Sequence, residues 1–162
     1  SNIVRMRHWH DPDPRGELLA ELRQWKIEQV NVDSVGMGYY LARHIEDAGY
    51  TVNDVNVGVS ARDSERFANL KAELYWGLRE RFEASDVHGL TDDLAVSQLA
   101  GIRYDHNARG QIVIESKADA RKRGVKSPDR AEAVMLAFAQ SPVGWDADTH
   151  ADFAGFLAGA GV

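Results

Sequence analysis

The chain has 162 residues, with 25 acidic side chains against 19 basic ones, a net charge of −6, 44% hydrophobic residues and no cysteine. That length fits one domain with an ordinary core, and the missing cysteines exclude disulfides, thiolate metal sites and a cysteine nucleophile. No stretch approaches the roughly 18 consecutive apolar residues of a membrane span. The start, Ser1 to Arg7, lacks the apolar centre of a signal peptide, so the expectation is a soluble intracellular protein.

In chain order, Ile3 to Trp9 alternates apolar and polar residues, the period of a half-buried strand. Asp11-Pro12-Asp13-Pro14 is a turn, and Leu18, Leu19, Leu22 and Trp25 predict a helix from Arg15 to about Lys26. Glu28 to Asp33 reads as a strand with an acidic last residue. Gly36 and Gly38 mark a tight turn into a helix that Gly49 stops. Tyr50 to Val57 reads as another strand. A long helix is predicted near 64–85, with Phe67, Leu70, Leu74, Leu78 and Phe82, and a shorter one near 92–100. Residues 102–104 and 111–115 predict a hairpin around Asn107 and Gly110. A helical turn near 118–123 and a last helix over 127–140 follow. Beyond Ser141-Pro142, alanine, glycine and aspartate predict a loosely packed tail, giving a domain over 1–140 and a tail over 141–162. Strands mixed with helices throughout predict an α/β fold with a mixed sheet.

Charge is unevenly spread. Residues 109–130 hold seven basic side chains (Arg109, Lys117, Arg121, Lys122, Arg123, Lys126 and Arg130) against Glu115, Asp119 and Asp129, so this window is +4 and the remainder −10. Such a run is either a solvated face or a phosphate-contacting surface, since lysine and arginine neutralise phosphates and release counterions.

Two acids stand out. Asp33 ends a strand just before a glycine turn and a helix, where α/β sheets place their sites. It reads equally as a metal ligand or as a capping or turn aspartate. Asp129, in Ser127-Pro128-Asp129-Arg130-Ala131-Glu132-Ala133, follows a serine cap and a first-turn proline, so it also suits the helix dipole. The helix is apolar nearly all round, which predicts burial and hence a metal or cation partner for Asp129.

Other features carry less. His8 and His10 share a strand face without a third ligand, and His44 sits among apolar neighbours as a core histidine would. Tyr75 and Trp76 on the long helix read as packing residues. Gly36-Met37-Gly38 starts like a dinucleotide fingerprint, but Leu41 stands where the third glycine belongs. There is no phosphate loop ending in Gly-Lys-Ser/Thr and no Gly-x-Ser-x-Gly elbow.

Four segments in order, Val32 to Gly38, Asn56-Val57-Gly58, Phe67 to Trp76, and Glu115-Ser116-Lys117 through Ala133, resemble the nuclease domain of the large terminase subunit of tailed bacteriophages. The resemblance covers about residues 28–139 and is strongest at Ser127 to Ala133. It implies a ribonuclease H-like mixed sheet flanked by helices, and a divalent-metal-dependent endonuclease that cuts concatemeric viral DNA during packaging. Asp33 matches the family's second acidic position and Asp129 its late aspartate. Glu132 replaces an aspartate of the motif, at what would be an outer-shell group. Lys117, Arg121, Lys122, Arg123 and Lys126 fall where such domains approach DNA.

The resemblance also implies magnesium or manganese, two ions in a complete domain. Its implied partners are double-stranded DNA, an ATPase domain on the same full-length chain, a small terminase subunit and a portal protein, with no membrane. The implied setting is the cytoplasm of a bacterial host. The family's first strand carries a metal-binding aspartate, whereas this chain opens on what reads as the third strand, with Ser1-Asn2 resembling an expression remnant. The expectation is therefore a domain lacking its first strands and one ligand. Two ions about 3.5–4 Å apart serve both ends of phosphodiester hydrolysis, and two carboxylates hold such a pair poorly. Weak metal binding and weak cleavage follow. A non-catalytic DNA-binding or motor-docking module on the same fold is the alternative, and a Rossmann-type nucleotide enzyme rests only on the turn after Asp33.

Overall fold

The computed structural model describes residues 1–9 and 13–140. His10, Asp11, Pro12 and the predicted tail over 141–162 lie outside the described residues. The elements run α1 (Arg15–Gln24), β1 (Gln29–Asp33), α2 (Met37–Asp47), β2 (Thr51–Val55), α3 (Leu70–Glu83), α4 (Asp93–Ala100), β3 (Tyr104–His106), β4 (Ile112–Ile114), α5 (Lys117–Lys122) and α6 (Asp129–Ala137). The chain is thus mixed α/β. No described helix is long and apolar enough to cross a membrane.

β1 and β2 pair in parallel, with Gln29 opposite Thr51 and Asp33 opposite Val55. Parallel neighbours cannot be joined by a tight turn, so the chain crosses over through α2. Alternation along a strand then separates two faces. Val30, Val32 and Val52 pack with Leu22, Ala42 and Ile45 of α1 and α2. Gln29, Asn31 and Asp33 point the other way, where α6 packs on β1. A second core joins α3, α4 and α6 through Tyr75, Leu78, Ala95, Ala131, Val134 and Met135. A third seats the antiparallel β3–β4 hairpin against α3 through Phe67, Ala72 and Ile112.

Four expectations need correction. The described strands form two separate two-stranded sheets instead of one mixed sheet. Residues 3–9 are not a strand: an isolated bridge from Asn2 to His88 precedes the segment, the Ile3 amide donates to the His88 carbonyl at 2.8 Å, and Arg5 and Arg7 pair with Glu21. Alternation creates a strand only where a neighbour supplies the ladder.

The long helix starts at Leu70, not near 64, because Phe67 bridges Ile112 and the Ala68 amide donates to the Ile112 carbonyl at 3.0 Å. Asn69 then caps the helix by accepting from the Ala72 amide at 3.0 Å. The last helix starts at Asp129, without a capping side chain of its own. Its cap comes from α4: the Gln98 side-chain oxygen accepts from the amides of Arg130 and Ala131 at 2.9 and 3.1 Å.

Candidate functional site

Asp33 is partly buried at the C-terminal end of β1, and one carboxylate oxygen accepts from the Val35 amide at 3.0 Å. That bond makes it a turn aspartate and leaves its second oxygen without a described partner. The turn depends on glycine twice. Gly36 caps α2 at φ +67°, a left-handed conformation that side chains resist. A Cβ on Gly38 would stand 1.6 Å from the Asp33 carbonyl oxygen, so the first turn of α2 can lie against Asp33 only with hydrogen at that position.

The same strand face holds α6 in place. Asn31 donates to the carbonyls of Leu136 and Ala139 at 2.7 and 2.9 Å. Its own side-chain oxygen accepts from Asn53 at 2.9 Å. These bonds satisfy carbonyls that a helix end leaves open. They also fix α6 over β1 and β2, two strand positions before Asp33.

At its other end α6 is held by α4. Besides the Gln98 cap, Arg130 pairs with Asp92, the residue that caps α4 by accepting from the Ala95 amide at 2.8 Å. One turn into α6, Glu132 is gripped by two cations. Lys71 and Lys117 reach its two oxygens at 2.8 and 2.9 Å, and the Glu132 side chain is only 18% exposed. Burial opposes ionisation of Glu132, but the two lysines outweigh it and hold its pKa below the usual glutamate range. Tyr75 lies alongside: burial, then the Glu132 charge, pushes its hydroxyl well above the usual tyrosine range. That hydroxyl is buried and has no hydrogen-bond partner among the described residues.

A chain of contacts connects these acids. Asp33 pairs with Val55, and the carbonyl of Val57, just beyond β2, accepts from the Lys71 amide at 3.0 Å. The Lys71 ammonium then meets Glu132. These contacts link the C-terminal ends of the parallel strands, where Asp33 sits, to Glu132 on α6, and we call this stretch the acidic rim.

Asp129 differs from expectation. It is exposed, and its carboxylate makes no hydrogen bond or ion pair with a described residue. The first turn of α6 emerges from the core, so burial does not compel a partner for it. It still lies three residues before Glu132, on a neighbouring strip of the helix. Glu132, with its two lysines, is the carboxylate that sequence reasoning undervalued, because Lys71 lies 61 residues away in the chain. Among the described residues no three histidine, aspartate or glutamate side chains gather as a metal cluster.

The basic run divides. Lys117, Arg123 and Lys126 line one cavity, whereas Arg121 and Lys122 do not. Lys122 pairs with Asp119 at 2.7 Å, and Arg123 pairs with Glu115. Hydrogen bonding to those cations lowers the pKa of both acids.

In fold, the described chain is similar to solved nuclease domains of phage large terminase subunits. The chain is similar to a single-residue variant of the nuclease domain of the large terminase subunit gp2 of bacterial virus Sf6, solved with manganese and beta-thujaplicinol. The TM-score is 0.77 at 16% identity, over 88% of this chain and 79% of that one. The Sf6 nuclease domain in another structure gives 0.69 at 17% identity, over 79% and 72%. The large terminase nuclease from thermophilic phage G20c with bound cobalt gives 0.58 at 22% identity, over 80% and 62%. At these identities the likeness is one of fold. No family model matches the chain, and no curated protein matches it in sequence.

Proposed function

We propose that this chain is the divalent-metal-dependent endonuclease domain of a phage or prophage large terminase subunit, which cuts concatemeric viral DNA in the host cytoplasm. The observation that carries this reading is the likeness in fold to phage large-terminase nuclease domains solved with metal ions, in a chain whose Asp33 and Glu132 are linked through Val55, Val57 and Lys71. In the working motor its partners are double-stranded DNA, an ATPase domain on the same full-length chain, the small terminase subunit and the portal protein.

The donors are hard oxygens, which suit magnesium or manganese. Asp33 offers one uncommitted oxygen, and Asp129 is exposed on the first turn of α6. Glu132 is already held by Lys71 and Lys117. Asp33 and Asp129 are thus the carboxylates here left open to an ion, and the described residues gather no cluster of three.

What the side chains do themselves is clearer. Asp33 fixes the turn while presenting its second oxygen at the rim. Glu132 keeps two ammonium groups beside it, which attract and orient a phosphodiester. Lys117, Arg123 and Lys126 extend that positive field, while Arg121 and Lys122 add long-range attraction for DNA.

A second reading, a non-catalytic DNA-binding or motor-docking module, is favoured by the two lysines that already neutralise Glu132. Nicking of supercoiled plasmid with manganese separates the two. The nuclease reading expects slow, chelator-sensitive nicking that Asp33→Asn abolishes without lowering the melting temperature. Nicking by Asp33→Asn at the parent rate would overturn it.

A further inference from the structure

Beside the rim, α4, β4, α5 and the turn into α6 enclose a cavity of about 340 Å³. Five cations line it: Lys71, Arg103, Lys117, Arg123 and Lys126. They come from three separate parts of the chain, and only three of them belong to the basic run visible in the sequence. Two carboxylates answer them, Glu132 for Lys71 and Lys117, and Glu115 for Arg123. Arg103 and Lys126 make no side-chain hydrogen bond or ion pair with a described residue. A pocket with more cations than anions, in a chain of net charge −6, is a local reversal of the protein's field.

We propose that this cavity is a phosphodiester-binding pocket that grips the DNA backbone next to the acidic rim, with Arg103 and Lys126 as its principal contacts. The proposal rests on the nuclease reading for the identity of its ligand and adds a second contact point for that ligand. Arg103 presents a planar fork of donors that matches phosphate geometry, and Lys126 adds a mobile point charge. Lys126 has no described partner to abandon, and Arg103 gives up only the electrostatic attraction of Glu115, whose hydrogen bonds go to Arg123. Lys117 lines the cavity and also holds Glu132, so a strand seated here passes directly to the rim. The cavity is much larger than one phosphate ion, which favours a sugar–phosphate segment over the free anion.

The test is fluorescence anisotropy of a labelled duplex oligonucleotide in EDTA across a potassium chloride series. It compares the parent chain with Arg103→Ala, Lys126→Ala, the double variant and the control Arg23→Ala on α1. Both pocket residues are exposed, so the variants fold, and circular dichroism melts check this. The double variant is expected to weaken binding about tenfold or more and to flatten the salt dependence by about two phosphate contacts. Arg23→Ala, exposed and outside the cavity, is expected to change affinity less than about twofold, as a diffuse surface charge does.

Unchanged affinity and slope in the double variant would overturn the pocket, as would an equal loss in Arg23→Ala or no duplex binding by the parent. Inorganic phosphate is expected to compete better than chloride at equal ionic strength in the parent and not in the double variant, and equal competition in both would also overturn the pocket. Because the assay contains no metal, its failure is separate from failure of the Asp33→Asn nicking test.

Discussion

The two faces of the β1–β2 pair are built from different materials. Towards α1 and α2, valines meet leucine, alanine and isoleucine, and Ile45 and Ala42 are fully buried. Towards α6, Asn31 and Asn53 hydrogen-bond to each other, and Asn31 bonds to the end of the helix. Apolar packing is non-directional and supplies most of the free energy. Hydrogen bonds contribute less net stability but fix direction and register. Asp33 belongs to the second face, so its position is set by directional contacts.

Ile45→Ala should show the apolar face at its strongest, with a loss of about 2–5 kcal/mol in urea unfolding. A loss below that of any polar-face variant would reverse the comparison. Gly38→Ala forces a methyl group against the Asp33 carbonyl, and overpacking of this kind costs about 1–3 kcal/mol or more. A neutral result would mean that α2 shifts freely away from Asp33.

Asn31→Leu leaves the carbonyls of Leu136 and Ala139 and the Asn53 amide unpaired, for a loss of about 1–3 kcal/mol. A gain in stability would make the α6 side one more apolar interface. The smallest effect is expected from Glu132→Gln, about 1 kcal/mol at neutral pH.

That last effect has a definite pH dependence. The folded Glu132 has a lowered pKa, so its contribution is full above the unfolded glutamate value of about 4.3 and is lost as pH falls through the lower folded value. Urea midpoints measured at neutral and acid pH should therefore converge for the parent and Glu132→Gln. A constant gap would show that the lysines do not act on a charged carboxylate.

Much of this was legible in local sequence. β1, α2 and β2 follow from alternation, the Gly36–Gly38 turn and the Gly49 stop, because each is decided within a few residues. Asp33 stands out for the same reason. The Asn31 clamp was not legible, since its partners are carbonyls more than 100 residues away and backbone groups leave no sequence signal. The cap on α6 was misassigned to Ser127, because nothing local reveals that Gln98 takes that role.

The helix predicted from 64 failed where Phe67 found a strand partner in Ile112, a tertiary contact that outweighs local preference. Asp129 was expected to be buried because its helix is apolar, but apolarity of the whole helix does not describe its first turn. Arg103 and Lys71 were not grouped with the basic run, since the cavity they share is assembled only by folding.

The central claim is that Asp33 and the start of α6 form one cation-binding rim, and manganese titration followed by amide NMR tests it most directly. Paramagnetic broadening should strike the amides around Asp33 and those from Asp129 to Glu132 together, at the same manganese concentrations, and Asp33→Asn should relieve both. Broadening confined to one of the two segments, or centred elsewhere on the chain, would contradict the account.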